Sequence, residues 1–520
     1  MVDYWGIFIK RCGVAKTICY LLFVVSCYCL YSIQPYVLPQ ILSIDRGNVY
    51  VNFQHAIILG LSFMSVPLMN YPNNYAMQIA RKYSKQILFE DLLKKKYDYF
   101  FRHDTGMIQN LISEISFCVR NIIHSSSEFI FRYLAIILIN FLAFRKASLS
   151  LAILYVFSYC LYFFVSIVLS KKHESKIKNT LASASKANAF LIDYCQNIET
   201  VYSCDSFKKE MGNYEKQLEF ERRSYFNHQI YIDNAKMFQH VLLIFICFAQ
   251  LVCFILTVNS SEMSISFYLA MVYSIFNLRD FGGEFLALTE FTSRMKNALS
   301  MLGYGNDLRE KETETETIDS LIDLKNITFS YGDRKIFDSF NLKVEPGKKI
   351  AIYGSNGSGK STLMKMVANL LEIDSGVVKR SCINNGMMYI SQSSNLFNRS
   401  IYENMVYPSS TADKDEIWRL IKKFDLDSLI CSEEDLYQKT PGDFGKTFSG
   451  GEKQKILIIR ALINKPSLIL FDEITSALDV KSTKIFLEKI QTEFRDSTIL
   501  YISHNPKEAK YFDEVINISE

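Results

Sequence analysis

Three short stretches of this 520-residue chain carry residue types whose spacing suits the handling of a phosphate ester. The first is Gly354-Ser355-Asn356-Gly357-Ser358-Gly359-Lys360-Ser361-Thr362, which fits the pattern G-x-x-x-x-G-K-[ST]. Its glycines let backbone N–H groups close around phosphate oxygens, and the start of a following helix adds positive potential. Lys360 would reach the β- and γ-phosphates of a nucleotide, and Ser361 would ligate Mg²⁺. The second is Asp472-Glu473, a pair of acids closing the apolar run Leu468-Ile469-Leu470-Phe471. An apolar strand ordinarily continues apolar, so two carboxylates at its end need a role. Asp472 would hold Mg²⁺ through water, and Glu473 would polarise an attacking water as general base. The third is Phe448-Ser449-Gly450-Gly451-Glu452-Lys453-Gln454, where a serine and two glycines at a helix start present N–H groups to a γ-phosphate.

Each stretch needs an element to hold it. The apolar run Lys349-Ile350-Ala351-Ile352-Tyr353 reads as a strand entering the glycine-rich loop, and Leu363 to Ala368 reads as the helix leaving it. Ile327-Thr328-Phe329-Ser330-Tyr331 alternates as a strand does, and Met388-Tyr389-Ile390 and Thr498 to Ile502 read as further strands. The last two hundred residues are therefore a soluble α/β domain. A net charge of +4 gives no case for nucleic acid. Twelve cysteines without a C-x-x-C pair read as small buried hydrophobes rather than a metal site or disulfide frame; Cys27, Cys29, Cys247 and Cys253 lie inside apolar runs.

The first three hundred residues hold apolar runs long enough, or nearly so, to cross a hydrocarbon layer of ~30 Å. They fall near 17–42, 50–72, 126–144, 148–170, 239–258 and 264–285. Lys10, Arg11 and Lys16 precede the first, which is too long for a signal-peptide core and reads as a retained span. Only Arg145-Lys146-Ala147-Ser148 separates the third from the fourth, which makes a tight helical hairpin. The polar segments 81–125 and 171–236 are long and helical by pattern, with Leu88, Leu92 and Leu93 on one face and Lys94, Lys95 and Lys96 on the polar side. They continue the membrane helices into water, on the same side as the nucleotide domain and the N-terminus. The stretch 303–323, including Glu310-Lys311-Glu312-Thr313-Glu314-Thr315-Glu316-Thr317, is polar and low in complexity and reads as a linker.

Taken together, these residues resemble the half-transporter exporters of the ATP-binding cassette superfamily. Leu88 to Leu93 with Phe100 to Gly106 looks like that family's first intracellular loop, and Ile192 to Val201 like its second; both end in short coupling helices in the family. The resemblance implies an α-helical six-span transmembrane domain (1–302), a linker (303–323) and an α/β P-loop ATPase domain with a helical subdomain (324–520). It implies ATP and Mg²⁺ as cofactors. Tyr331 matches the adenine-stacking aromatic, and Gly354 to Thr362 the phosphate loop. Gln392 matches the Mg²⁺-sensing glutamine, followed by Leu396-Phe397-Asn398. Ser449, Gly450, Gly451 and Glu452 match the signature that faces the P-loop of a second subunit, with Phe448 for the usual leucine and Lys455 for the usual arginine. Asp479 matches the D-loop that lies between the two subunits, and His504 the histidine that contacts the γ-phosphate. Gly442-Asp443-Phe444-Gly445 departs from the family's G-E-R-G element.

Two copies must then pair head-to-tail in a lipid bilayer, most simply as a homodimer. The family usually has more chain after the histidine, so lower stability is expected at the C-terminal edge. Asn197-Ile198-Glu199-Thr200-Val201 and Phe207-Lys208-Lys209-Glu210 look most like the mitochondrial heavy-metal-tolerance branch, linked to iron–sulfur protein maturation and glutathione-like thiols. This implies a mitochondrial-type membrane. A peptide or lipid exporter of the same fold, or a regulator of a channel, is the alternative. Arg279 in the sixth span is expected either to pair with Asp280 or Glu284, or to attract an anionic thiol peptide, with Gly282-Gly283 leaving room for it.

Overall fold

The computed structural model describes residues 13–42, 49–257, 272–273, 278–306, 320–380, 386–442 and 447–518. The chain divides into two compact units, Met1–Lys95 with Tyr99–Leu308 and Lys96–Asp98 with Arg309–Glu520.

The first unit is helical: α1 (Val14–Leu42), α2 (Val49–Leu93), a short α3 (Tyr97–Arg102), α4 (Thr105–Ser127), α5 (Tyr133–Ala147), α6 (Leu149–Gln196), a short α7 (Ile198–Ser203), α8 (Phe207–Thr257) and α9 (Leu278–Met301). One π turn, Glu128–Arg132, joins α4 to α5. Five stretches among the described residues are long and apolar enough to cross a membrane: Val14–Gln34, Phe53–Leu93, Thr105–Lys146, Leu149–Gln196 and Phe207–Leu256. They overlap the first five expected spans. Most of the sixth, 264–285, lies outside the described residues, and α9 begins within it.

The polar segments do extend the membrane helices. α6 has 48 residues and α8 has 51; at 1.5 Å per residue each is about 75 Å long, over twice the hydrocarbon thickness. The short helices α3 and α7 sit at the ends of these extensions. Ser148, in extended conformation, is the corner of the α5–α6 hairpin.

Exposure in this unit is reversed from that of a soluble bundle. Leu134, Leu138 and Leu142 form an outward stripe on α5, while Asn140 on the same helix is buried. Asn140 accepts a hydrogen bond from Tyr36 and donates to the Tyr155 hydroxyl at 2.8 Å. Gln250 donates to Ser158 at 3.1 Å and Gln239 to Ser166 at 3.0 Å, both from α8 to α6. With lipid as apolar as leucine, such interhelical hydrogen bonds are what remains to specify packing.

The structure corrects two readings. Lys95 is not on the polar side: it is 1% exposed, pairs with Asp91 at 3.4 Å and donates to the carbonyls of Gly303 and Asn306. Those carbonyls follow the end of α9, where helix-end oxygens need donors, and with Asp91 they offset the burial of the charge. In the second unit, the first strand takes in Ile322 and Asp323, two residues placed in the linker.

That second unit begins with β1 (Ile322–Tyr331) and β2 (Arg334–Val344), then β3 (Lys349–Gly354), α10 (Lys360–Val367), β4 (Ser375–Arg380) and β5 (Met387–Ser391). A helical segment follows with α11 (Ile401–Val406), α12 (Lys414–Lys423), α13 (Glu433–Gln438) and α14 (Gly450–Asn464). The chain returns through β6 (Leu468–Asp472), α15 (Val480–Glu493), β7 (Thr498–Ile502), a 3₁₀ turn (Pro506–Tyr511) and β8 (Glu514–Ile518). β2-β1-β4 form an antiparallel sheet, and β5-β6-β7-β3-β8 a parallel one. β6 and β7 are buried along their whole length, as strands covered on both faces are.

Asn404 of α11, 1% exposed, ties the loop after β5 to α14. Its side chain accepts from Phe397 N at 2.9 Å, donates to the carbonyls of Phe397 at 2.9 Å and Ser400 at 3.1 Å, and accepts from Arg460 of α14 at 3.1 Å. Each such bond contributes about 1 kcal/mol net, and a buried donor left unpaired costs about 1–3. Asn404→Ala should therefore lower the stability of this unit by about 2–4 kcal/mol. A melting temperature equal to the parent's in the purified full-length protein would contradict this.

Candidate nucleotide site

The sheet register lines up the chemistry. Ile352 of β3 and Asp472 of β6 both sit opposite Ile502 of β7, and Ser391 of β5 sits opposite Asp472. The glycine-rich loop, Gln392, Glu473 and Ser503-His504 therefore all leave the same carboxyl end of the parallel sheet, where open α/β sheets bind ligands.

Gly359 caps α10 with φ 93°, a left-handed conformation. A Cβ there would fall 2.6 Å from Ile336 Cγ2 and 2.9 Å from Phe337 Cζ, so the loop lies too close to β2 for any side chain. Lys360 is buried, and its ammonium turns back to the carbonyls of Gly354 at 3.0 Å and Ser355 at 2.8 Å. It is thus held at the mouth of the loop. Ser361, one residue into α10, donates to Asp472 Oδ1 at 3.1 Å, although β7 separates β3 from β6.

Tyr389 of β5 donates to the other carboxylate oxygen of Asp472 at 3.0 Å. Burial pushes the Asp472 carboxyl up from its ordinary range, and the two hydroxyls pull it back. Sequence reasoning noted Tyr389 only as part of a strand; its signal was its place two residues ahead of Ser391, whose partner is Asp472. Ser361 and Asp472 form an oxygen-only donor set, which fits a hard ion such as Mg²⁺ with several waters kept. Gln392 is exposed in the turn just past Ser391.

Glu473 and His504 also meet. Glu473 has φ 55°, rare for a side chain of its size, and its Oε1 lies 2.6 Å from His504 Nε2. Behind them, buried Glu508 accepts from Tyr501 at 2.7 Å and Ser503 at 2.6 Å, and the Tyr501 hydroxyl lies 2.8 Å from Thr475 Oγ1. This network links the residues flanking Glu473 and His504, and no motif or periodicity pointed to Glu508.

The serine-glycine stretch forms the start of α14. Ser449 caps it, and Glu452 closes a capping box by accepting from Ser449 N and Oγ, both at 2.7 Å. Buried Gln454 accepts from Ala477 N at 3.0 Å and donates to Ser476 at 3.3 Å. A Cβ at Gly451 would fall 2.9 Å from the Ala477 carbonyl. Asp479 caps α15 through Ser482 and pairs with Lys455 at 3.4 Å. The Ser482 bonds, and after them Lys455, hold its carboxyl well below the usual range. Tyr331 ends β1 half-exposed, edge-on to Phe329 at 4.9 Å. Among the described residues no hydrogen bond joins Ser449–Glu452, Asp479 or Tyr331 to the glycine-rich loop. Of the departing 442–445 element, only Gly442 is described.

Residues 337–476 match the ABC transporter family, and residues 17–278 match the ABC transporter transmembrane region. The chain belongs to the ABC transporter family. Along the chain the transmembrane match precedes the ATP-binding match. A relative in Arabidopsis thaliana, ABC transporter B family member 24, mitochondrial, is 30% identical over 238 residues, which are 43% of this chain and 35% of that protein. The chain thus spans about a third of that curated relative's length. An export ATP-binding/permease protein of Rickettsia felis is 25% identical across 92% of this chain and 86% of its own length. The solved structure of a bacterial Atm1-family ABC exporter with ATP bound shares the fold, with TM-score 0.82 and 18% identity over 98% of this chain and 93% of that one. The exporter-type resemblance read from the sequence agrees with these.

The Tyr389 hydroxyl favours the ionised form of Asp472, so its removal raises that carboxyl's pKa further. Tyr389→Phe should then move the acid limb of the ATPase pH profile to higher pH and raise the Mg²⁺ concentration for half-activity severalfold, with near-parental turnover at saturating Mg²⁺ in the alkaline range. An unchanged Mg²⁺ requirement and acid limb would mean that the contact does not serve the metal site.

Proposed function

We propose that two copies of this chain form an ATP-driven exporter that moves a glutathione-like thiol compound across a mitochondrial-type membrane. The observation that carries the ATP part is the Ser361–Asp472 contact at 3.1 Å beneath a glycine-rich loop, on a chain whose other unit has helices fit to cross a membrane. In this reading Tyr331 stacks the adenine. Gly354 to Thr362 cradles the phosphates, and Ser361, Gln392 and Asp472 serve Mg²⁺. Glu473 takes the proton of the attacking water, which His504 orients. Ser449, Gly450, Gly451 and Glu452 with Asp479 complete the partner's site. The division into a transmembrane domain to 302, a linker from 303 that ends before β1 at Ile322, and an ATPase domain belongs to the same proposal.

For the substrate, the charges of α9 are informative. The structure does not make the expected Arg279 pairs. Arg132 of the π turn instead takes Glu284 at 2.8 Å and Asp280 at 3.7 Å. Arg279 is exposed and has no ion-pair partner among the described residues, which suits attraction of an anionic thiol peptide. The room expected beside the glycines is partly taken: a Cβ at Gly282 would fall 2.4 Å from Gln239 Oε1. A Cβ at Gly283 would meet only Lys236 Cε, at 4.0 Å.

In proteoliposomes with the ATPase unit outside, labelled glutathione disulfide should accumulate on ATP addition. Glu473→Gln should abolish accumulation, and Arg279→Ala should reduce it severalfold while leaving basal ATPase unchanged. ATP hydrolysis without accumulation would contradict the substrate and point to a different cargo or to a regulator of a channel.

A further inference from the structure

Three helices bring His173 (α6), His228 (α8) and Glu290 (α9) to one place, far from the nucleotide site in the chain. One potential ligand atom from each lies within 4.8 Å of the others. His173 is 1% exposed and His228 8%. Their Nε2 atoms face each other at 2.9 Å, and the rings stack with centroids 4.9 Å apart. His173 stacks in turn near Tyr231, whose hydroxyl is fixed by the Leu169 carbonyl at 2.7 Å. We propose that His173, His228 and Glu290 form a binding site for a divalent transition-metal ion that clamps α6, α8 and α9 together.

The donor chemistry supports this. Two imidazoles and one carboxylate are a set that Zn²⁺ and its neighbours in the first transition row accept, with an open position left for water. Two imidazole nitrogens on one such ion, at about 2.0–2.1 Å each, sit roughly 3.3 Å apart in tetrahedral geometry, close to the separation found. Glu290 brings a carboxylate oxygen within 4.8 Å of the two imidazole nitrogens. Two imidazolium rings with Nε2 atoms 2.9 Å apart would repel, so the pair holds either one N–H···N hydrogen bond or one cation. His173 Nδ1 is buried without a hydrogen-bond partner among the described residues. That nitrogen does not face the cluster; it is the position where a metal-bound imidazole takes a further partner, and ordered water is the expected one.

The nearby cations are otherwise engaged. Arg294 binds Glu114 at 2.7 Å and reaches Glu290 only at 3.4 Å. Lys176, one turn beyond His173, lies over the Tyr231 ring at 5.8 Å from its centroid. Glu290 thus keeps a carboxylate oxygen for a metal and offsets one of its two positive charges.

Co²⁺ is a suitable probe, because its d–d absorption reports the ligand set. The full-length protein in detergent, with its cysteines alkylated, should bind one Co²⁺ per chain with nitrogen/oxygen-type bands that Zn²⁺ displaces. His173→Ala and His228→Gln should each weaken binding more than a hundredfold, and Glu290→Gln about tenfold, in protein that elutes as the parent and keeps its basal ATPase. Absence of a stoichiometric Co²⁺ spectrum, or a spectrum unaltered in both histidine variants, would overturn the site and leave the 2.9 Å contact as an N–H···N hydrogen bond.

Discussion

The carboxylate of Asp472 is the point on which the ATPase unit depends. Its oxygens are held by Ser361 at 3.1 Å and Tyr389 at 3.0 Å, groups that arrive from opposite sides of β6. A lone carboxylate at that depth would resist ionisation. Two hydroxyls make the charged form tolerable, and the resulting oxygen-only donor set is one that suits a hard ion such as Mg²⁺. The central strands have to be apolar and deeply packed to hold those three groups in place, and β6 and β7 are. Glu473 then follows Asp472 in a left-handed conformation that aims it at His504. Backbone strain at that residue is sustained by the surrounding sheet.

The membrane unit solves the opposite problem. Its outer faces are apolar because lipid covers them, so its specificity must come from within. Asn140, Gln239 and Gln250 supply it by hydrogen bonds between helices. Arg132, bonded to Glu284 of α9 from a π turn, does the same with charge. A π turn adds a residue to the helical repeat and so re-aims the side chains beyond it.

Much of the candidate site's arrangement was legible in the sequence because its patterns are local. A glycine at a left-handed cap, a lysine beside it and two acids ending an apolar run are short-range patterns that chance seldom assembles. The long helices were legible from hydropathy and periodicity. What escaped were side chains whose role is set by tertiary partners: Tyr389 under Asp472, Glu508 behind His504, and Gln454 joining α14 to Ala477. Lys95 was misplaced for the same reason, since a lysine in a basic run looks solvated until the carbonyls that bury it are known. The Arg279 pairing failed because a competitor, Arg132, stands about 150 residues earlier in the chain, where no helical spacing could find it.

The central claim is that Ser449, Gly450 and Gly451 act on a nucleotide held by another copy of the chain. Mixing two inactive variants tests it most directly. Lys360→Ala lacks the phosphate grip and Ser449→Arg blocks the signature, yet a mixed pair retains one intact Lys360 facing one intact Ser449. ATPase activity should reappear on co-reconstitution, at no more than half the parental rate per pair, and neither variant alone should turn over. No recovery in verified mixed pairs, or parental activity in a strictly monomeric preparation, would contradict the account.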